Sequence, residues 1–146
     1  MIIWTRPFHS ADSEPISKMV GEAFTEVYPS NLWADIAAYW AEGLTVMLDD
    51  SDVIGASVGV IDSEASSRIL ILVVKPAYRN RGLGKVLLER HYEACRNRRI
   101  ARVKLEVRHG NDGALRFYQR EGFKVEGTLP CFYTDGTDAW QMVKML

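Results

Sequence analysis
Hydrophobic positions recur along this chain with two different periods, and the switches between them mark out its elements. Residues 2–8 read as a first strand. Asp12-Ser13-Glu14-Pro15 is a helix-start signal, and Ile16, Met19, Val20, Ala23 and Phe24 follow at helical spacing. Tyr28-Pro29-Ser30-Asn31 breaks that helix and offers a cap to a second one over about 32–42. Apolar runs at 44–48 and 53–60 flank Asp49-Asp50-Ser51-Asp52, which predicts a hairpin. The run at 68–74 is almost wholly aliphatic, as in a strand buried on both faces. A long helix is predicted from Gly82 to about Arg99, with Leu83, Val86, Leu87, Ala94 and Cys95 on one side. Val103, Leu105 and Val107 then alternate with Lys104, Glu106 and Arg108, the period of a strand. Residues 111–121 read as a helix ended by Gly122, and strands near 124–128 and 139–145 close the chain. Strands grouped first, then helix–strand–helix–strand, imply an α/β (α+β) fold, a mixed sheet covered by helices on both faces.

Composition bounds the class without naming the chemistry. A chain of 146 residues is expected to form one domain, 1–146, large enough to bury a sizeable core. No internal repeat, low-complexity tract or linker interrupts it. The net charge of −1 gives no global basic field, so neither nucleic acid nor a membrane surface is expected as a partner. The longest aliphatic run, 69–74, is far too short to span a bilayer, and Met1-Ile2-Ile3-Trp4 meets Arg6 and Pro7 before a signal-peptide apolar region develops. A cytoplasmic protein is the expectation. Cys95 and Cys131 do not make a disulfide framework and are expected as buried or half-buried thiols. His9, His91 and His109 form no metal-ligand pattern; polar positions and no metal are expected. The Arg96, Arg98, Arg99 and Arg102 run fits a solvated helix end, where cations complement the dipole.

The chemistry concentrates at residues 71–88, where an apolar strand passes through a Pro-broken turn into a basic glycine loop and a helix. Unpaired N–H groups at a helix start bind anions, and Arg79, Arg81 and Lys85 add charge there. The dinucleotide fingerprint fails because Leu87 stands where its third glycine belongs. The P-loop fails because Gly84-Lys85 is followed by Val86. An anion cradle and a structural turn both fit what survives. Further along, spacing alone makes Glu106 a solvated ion-pairing carboxylate. Tyr118 fits a core aromatic whose hydroxyl finds a partner, and Asn111 fits a helix N-cap.

Taken in order, the motifs carry a resemblance. Arg79-Asn80-Arg81-Gly82-Leu83-Gly84 resembles the Q/R-x-x-G-x-G/A signature of the GNAT N-acetyltransferase family. The lead-in Val73-Val74-Lys75-Pro76-Ala77-Tyr78 and the follow-on Leu87-Leu88-Glu89 also fit. Leu105-Glu106-Val107-Arg108, Asn111, Phe117-Tyr118, Gly122-Phe123, then Phe132-Tyr133 and Asp138-Ala139 with Met142, are similar to the ribosomal-protein and archaeal protein N-terminal acetyltransferase branch. The resemblance implies the GNAT fold, with a mixed, mostly antiparallel sheet of about six to seven strands. It implies acetyl-CoA as cosubstrate and no metal. Backbone of Leu72, Val73 and Val74, with Asn111, would hold the pantetheine arm, and Val74 would offer its amide to the oxyanion. Arg79, Asn80, Arg81, Gly82, Leu83, Gly84 and Lys85 would take the pyrophosphate. Glu106 would be the general base and Tyr118 the general acid, beside the same cosubstrate. Tyr28, Glu106 and Tyr133 would face the acceptor, a protein or peptide N-terminus, in a monomer or homodimer.

Proton arithmetic agrees with that acceptor. Freeing a peptide α-amine of pKa about 7.7–8.0 near pH 7 costs about 1 kcal/mol, against roughly 4.6 kcal/mol for a lysine at about 10.4. One carboxylate base is better matched to the first. Two alternatives stand beside this reading. A free small amine fits much of the same fold. Leu129-Pro130, Phe132 and the lack of a Leu-Pro-Glu-x-Tyr pattern near Tyr28-Pro29 depart from the peptide-modifying branch. A non-catalytic acyl-CoA-binding module would need the glycine loop but neither Glu106 nor Tyr118.

Overall fold
The computed structural model describes residues 1–24 and 27–146. In chain order the elements are β1 (Ile3–Pro7), α1 (Ser13–Ala23), α2 (Leu32–Tyr39), β2 (Leu44–Asp49), β3 (Asp52–Ser63) and β4 (Ser66–Val74). They continue with α3 (Leu83–Asn97), β5 (Arg102–Arg108), α4 (Asp112–Arg120), β6 (Lys124–Leu129) and β7 (Ala139–Met145). The strands form one seven-stranded sheet in the order β1-β2-β3-β4-β5-β7-β6. Neighbours joined by short turns are antiparallel, while β4 and β5 are parallel because α3 carries the chain back between them. The mixed sheet expected from the element order is observed, and it is mostly antiparallel, as the resemblance implied.

Alternation along the strands decides which face each side chain takes. Leu44, Val46, Val58, Ile71 and Val73 point to one face and pack on Ile16, Val20 and Trp33 of α1 and α2. Ile69, Val103, Leu105 and Met142 point to the other and pack on Leu88, Tyr92 and Cys95 of α3, with Phe117 and Tyr118 of α4 alongside.

Several local expectations are corrected. Residues 68–74 are not buried on both faces: Leu70 is 41% exposed. The register explains why, since Val58 pairs with Ile71 and Gly59 with Ile69, leaving Leu70 as a β-bulge. Asp12 does not cap α1 through its side chain. Its carboxylate accepts from Arg6 at 2.7 and 2.9 Å and from the His9 amide at 2.8 Å, partners that complement its charge better. Asn31 sits at the start of α2 without a side-chain cap bond, and that helix ends early at Tyr39 because the next residue, Trp40, turns into the core. His91 is a core residue, and Cys131 is an exposed thiol.

Candidate active site
The site begins where the sheet comes apart. Pairing between β4 and β5 covers only Ser66–Arg102, Ser67–Val103 and Arg68–Lys104. Beyond Arg68, β4 runs on to Val74 and β5 to Arg108 without that ladder. β4 is still held by β3 and β5 by β7, so the two strands diverge as a V with an unpaired backbone edge on each arm. Exposed edge N–H and C=O groups need partners, and an extended ligand can supply them. Leu72, Val73 and Val74 lie on that edge.

The glycine loop sits at the open end of β4. Gly82 has φ +75° and immediately precedes α3, a left-handed conformation that side chains resist. Val86 N donates to Gly82 O at 3.3 Å, so the earlier first-turn amides of α3 have no intrahelical acceptor. A Cβ on Gly84 would lie 3.1 Å from Phe117 Cζ, so the glycine lets α3 approach α4 closely. Asn80 is also left-handed at φ 63°. Arg79 Nε donates to Val74 O at 3.0 Å, which folds the loop back onto the strand end. Arg81 Nη2 donates to Ala77 O at 3.4 Å and its guanidinium lies 5.4 Å from the Tyr78 ring. Lys85 is exposed. A strand edge leading to amides at a helix start, ringed by cations, suits a long ligand with an extended arm and an anionic end.

Glu106 lies on β5 just past the vertex. Register fixes its face: Val60 pairs with Arg68 and Arg68 with Lys104, and Glu106 follows two residues on. That is the α1–α2 face. Glu106 is not the solvated carboxylate of the spacing argument, because its side chain is only 7% exposed. Nor is its partner on its own strand. Arg68 Nε donates to Oε1 at 2.8 Å and Nη2 lies 2.7 Å from the same oxygen in the ion pair, while the buried Oε2 has no hydrogen-bond partner. Sequence reasoning did not single out Arg68, and its position at the head of the aliphatic run was the one local hint.

Tyr118 sits on α4, over the opposite face, with its ring edge-on to Phe117 and Phe123. Burial, and then the neighbouring phenols Tyr92 and Tyr133, raise its pKa, so the hydroxyl stays protonated and can donate. Asn111 is the N-cap of α4, accepting from the Ala114 amide at 3.2 Å. The opening between β4 and β5 gives the two faces a common edge.

The connection from β6 to β7 folds over the Glu106 face. The Phe132 ring lies 5.7 Å from the Arg68 guanidinium, and Tyr133 lies 4.2 Å from that of Arg108. Arg108 also pairs with Asp135 at 2.7 Å, which anchors the loop. Tyr28 packs against Trp33 at 5.5 Å on the α1–α2 side. A groove of about 540 Å³ is lined by Leu32, Ile36 and Trp40 together with Val60 and Ile61. Among the described residues, no three or more His, Cys, Asp or Glu side chains stand close enough to hold a metal ion. No described helix is long and apolar enough to cross a membrane.

A split sheet edge and a glycine turn at a helix start suit an acyl-CoA-dependent transferase. Comparison with known proteins makes the assignment specific. Residues 13–123 match the model of the acetyltransferase (GNAT) family, and the chain belongs to that family. It is 34% identical to an uncharacterized N-acetyltransferase of Methanocaldococcus jannaschii, over 95% of this chain and 89% of that one. It is 26% identical to N-alpha-acetyltransferase 30 of Schizosaccharomyces pombe, over 94% of each. The crystal structure of Ard1 from Thermoplasma volcanium superposes with a TM-score of 0.95 at 32% identity, covering 100% of this chain and 99% of that one. The chain is an acetyl-CoA-dependent N-acetyltransferase with the GNAT fold.

Proposed function
We propose that the acceptor is the N-terminal α-amine of a protein or peptide, acetylated directly with Glu106 as general base and Tyr118 as general acid. One observation carries the reading. A buried carboxylate with an unpartnered oxygen lies at the vertex of the split sheet, on the face covered by an aromatic loop. Leu70 and Phe132, 41% and 40% exposed, give that face apolar surface suited to a chain segment. The name of the Schizosaccharomyces pombe relative, an N-alpha-acetyltransferase, supports the same acceptor class.

Acetyl-CoA supplies the acetyl thioester. The β4 edge at Leu72, Val73 and Val74 holds its extended arm, and the Asn111 side chain, whose Oδ1 is committed to the cap, has its amide N–H₂ for the same arm. The loop from Asn80 to Lys85, with Arg79, binds the pyrophosphate through the amides that open α3. Glu106 Oε2 takes the proton of the α-amine, directly or through water, a step that needs only about 1 kcal/mol of deprotonation near pH 7. Tyr118 faces a leaving sulfur of pKa about 8.5 against about 10 for an ordinary phenol, so proton transfer is uphill by about 2 kcal/mol before tuning. Its raised pKa widens that gap. Tyr118 therefore hydrogen-bonds the sulfur and gives up its proton late. Tyr28 and Tyr133 flank the acceptor.

The test is a mass-spectrometric screen. Acetyl-CoA is offered with peptides of varied N-termini, N-terminally blocked peptides carrying internal lysines, and free amines. Acetylation is expected on α-amines. Free amines turned over as fast as peptides move the acceptor to small molecules. Tight acetyl-CoA binding without transfer to any acceptor makes the chain a binding module.

A further inference from the structure
We propose that Arg68 is a positioning residue for the reaction, fixing the Glu106 carboxylate and joining it to the acceptor-side loop; this rests on Glu106 being the base. The geometry of the pair is unusual for arginine and carboxylate. Their common arrangement is a fork on both oxygens. Here Nε donates to Oε1 at 2.8 Å and Nη2 approaches the same oxygen at 2.7 Å. One oxygen is immobilised and the other, Oε2, is left buried without a hydrogen bond, the arrangement a base requires.

The neighbouring cations are committed elsewhere. Lys104 and Arg108 flank Glu106 on the same face of β5, yet Lys104 pairs with Asp62 at 3.6 Å and Arg108 with Asp135 at 2.7 Å. Arg68 reaches across from β4. It is the last β4 residue in register with β5, so it stands at the vertex where the strands part. Its guanidinium also lies 5.7 Å from the Phe132 ring. One side chain thus touches the carboxylate and the loop that covers the acceptor face, and spans the divergence that makes room for the thioester. A lysine there keeps the charge but loses the planar pair of donors.

Kinetics with acetyl-CoA and peptides beginning with Ala, Ser and Met test this. Arg68→Met should lower kcat about 10- to 100-fold, the scale of a misplaced catalytic group, while KM for acetyl-CoA stays within about 2-fold. Arg68→Lys should recover part of that loss, remaining about 3- to 10-fold slow. In a Glu106→Gln background, Arg68→Met should add less than about 3-fold, because a residue acting through Glu106 has no carboxylate left to position. A merely structural role slows both backgrounds equally, and that result overturns the inference. So does wild-type kcat in Arg68→Met and Arg68→Lys while Glu106→Gln is slow. If Arg68→Met does not fold, Arg68→Lys decides alone: reduced kcat with an unchanged acetyl-CoA KM supports the inference, and wild-type kcat overturns it. Wild-type turnover in Glu106→Gln overturns the base assignment instead.

Discussion

A carboxylate with 7% of its side chain exposed is costly unless a cation compensates it, and Arg68 does so for Glu106. Glutamine keeps the shape of Glu106 and removes the proton acceptor, so Glu106→Gln should lower kcat by about 100-fold, within the usual contribution of a general base. Tyr118→Phe keeps the ring packing against Phe117 and Phe123 but removes the donor, and about 10-fold is expected. Isothermal titration with acetyl-CoA checks that both variants still bind it; unchanged turnover in both would falsify the assigned roles. Asn111 was legible as a cap from the residue type and the helix that follows, and its side chain makes that bond. Glu106 was legible only through its order after the glycine loop. Its partner was not, because Arg68 is 38 positions away and nothing local announces a contact across parallel strands.

At the scale of elements, the proposed cosubstrate site rests on the glycine loop and on the split between β4 and β5. The loop depends on one left-handed residue. Gly82→Ala places a Cβ on a backbone at φ +75°, which costs about 1–2 kcal/mol. Thermal melting should register that loss, and KM for acetyl-CoA should rise more than KM for peptide, since the strain falls on the anion end. Equal changes in both would remove the loop from cosubstrate binding. The loop was readable because Gly82 and Gly84 follow a strand and open a helix. The split was not. An aliphatic run looks like a strand buried on both faces, but the bulge at Leu70 and the three-pair ladder to β5 turn part of it into an edge. Pairing length is set by the twist and by what holds each strand on its far side, and neither is local.

For the whole molecule, the core carries a titratable group that the reaction does not use. His91 is 2% exposed, with Nε2 2.9 Å from Ser67 Oγ and the ring edge-on to Trp40. Burial pushes its pKa down to about 4 from 6.5. The unfolded chain therefore binds more protons between those values. The stability due to neutral His91 is fully present above about pH 6.5 and is lost as pH falls toward 4, by about 3 kcal/mol at most. Urea unfolding at pH 7, 5.5 and 4.5 should show this loss, and His91→Gln should flatten the slope across the window. An unchanged slope would move the acid sensitivity to carboxylates. Periodicity and motif order were enough to reveal the elements, the mixed sheet, the glycine turn that opens a helix and the succession of Glu106, Asn111 and Tyr118, because each depends on residues close in the chain. Packing settled the burial of His91, the exposure of Cys131, the pairing of Glu106 with Arg68 and the V between β4 and β5. Those follow from register between distant strands, where a shift of one residue moves a side chain to the opposite face, and no local pattern records that register.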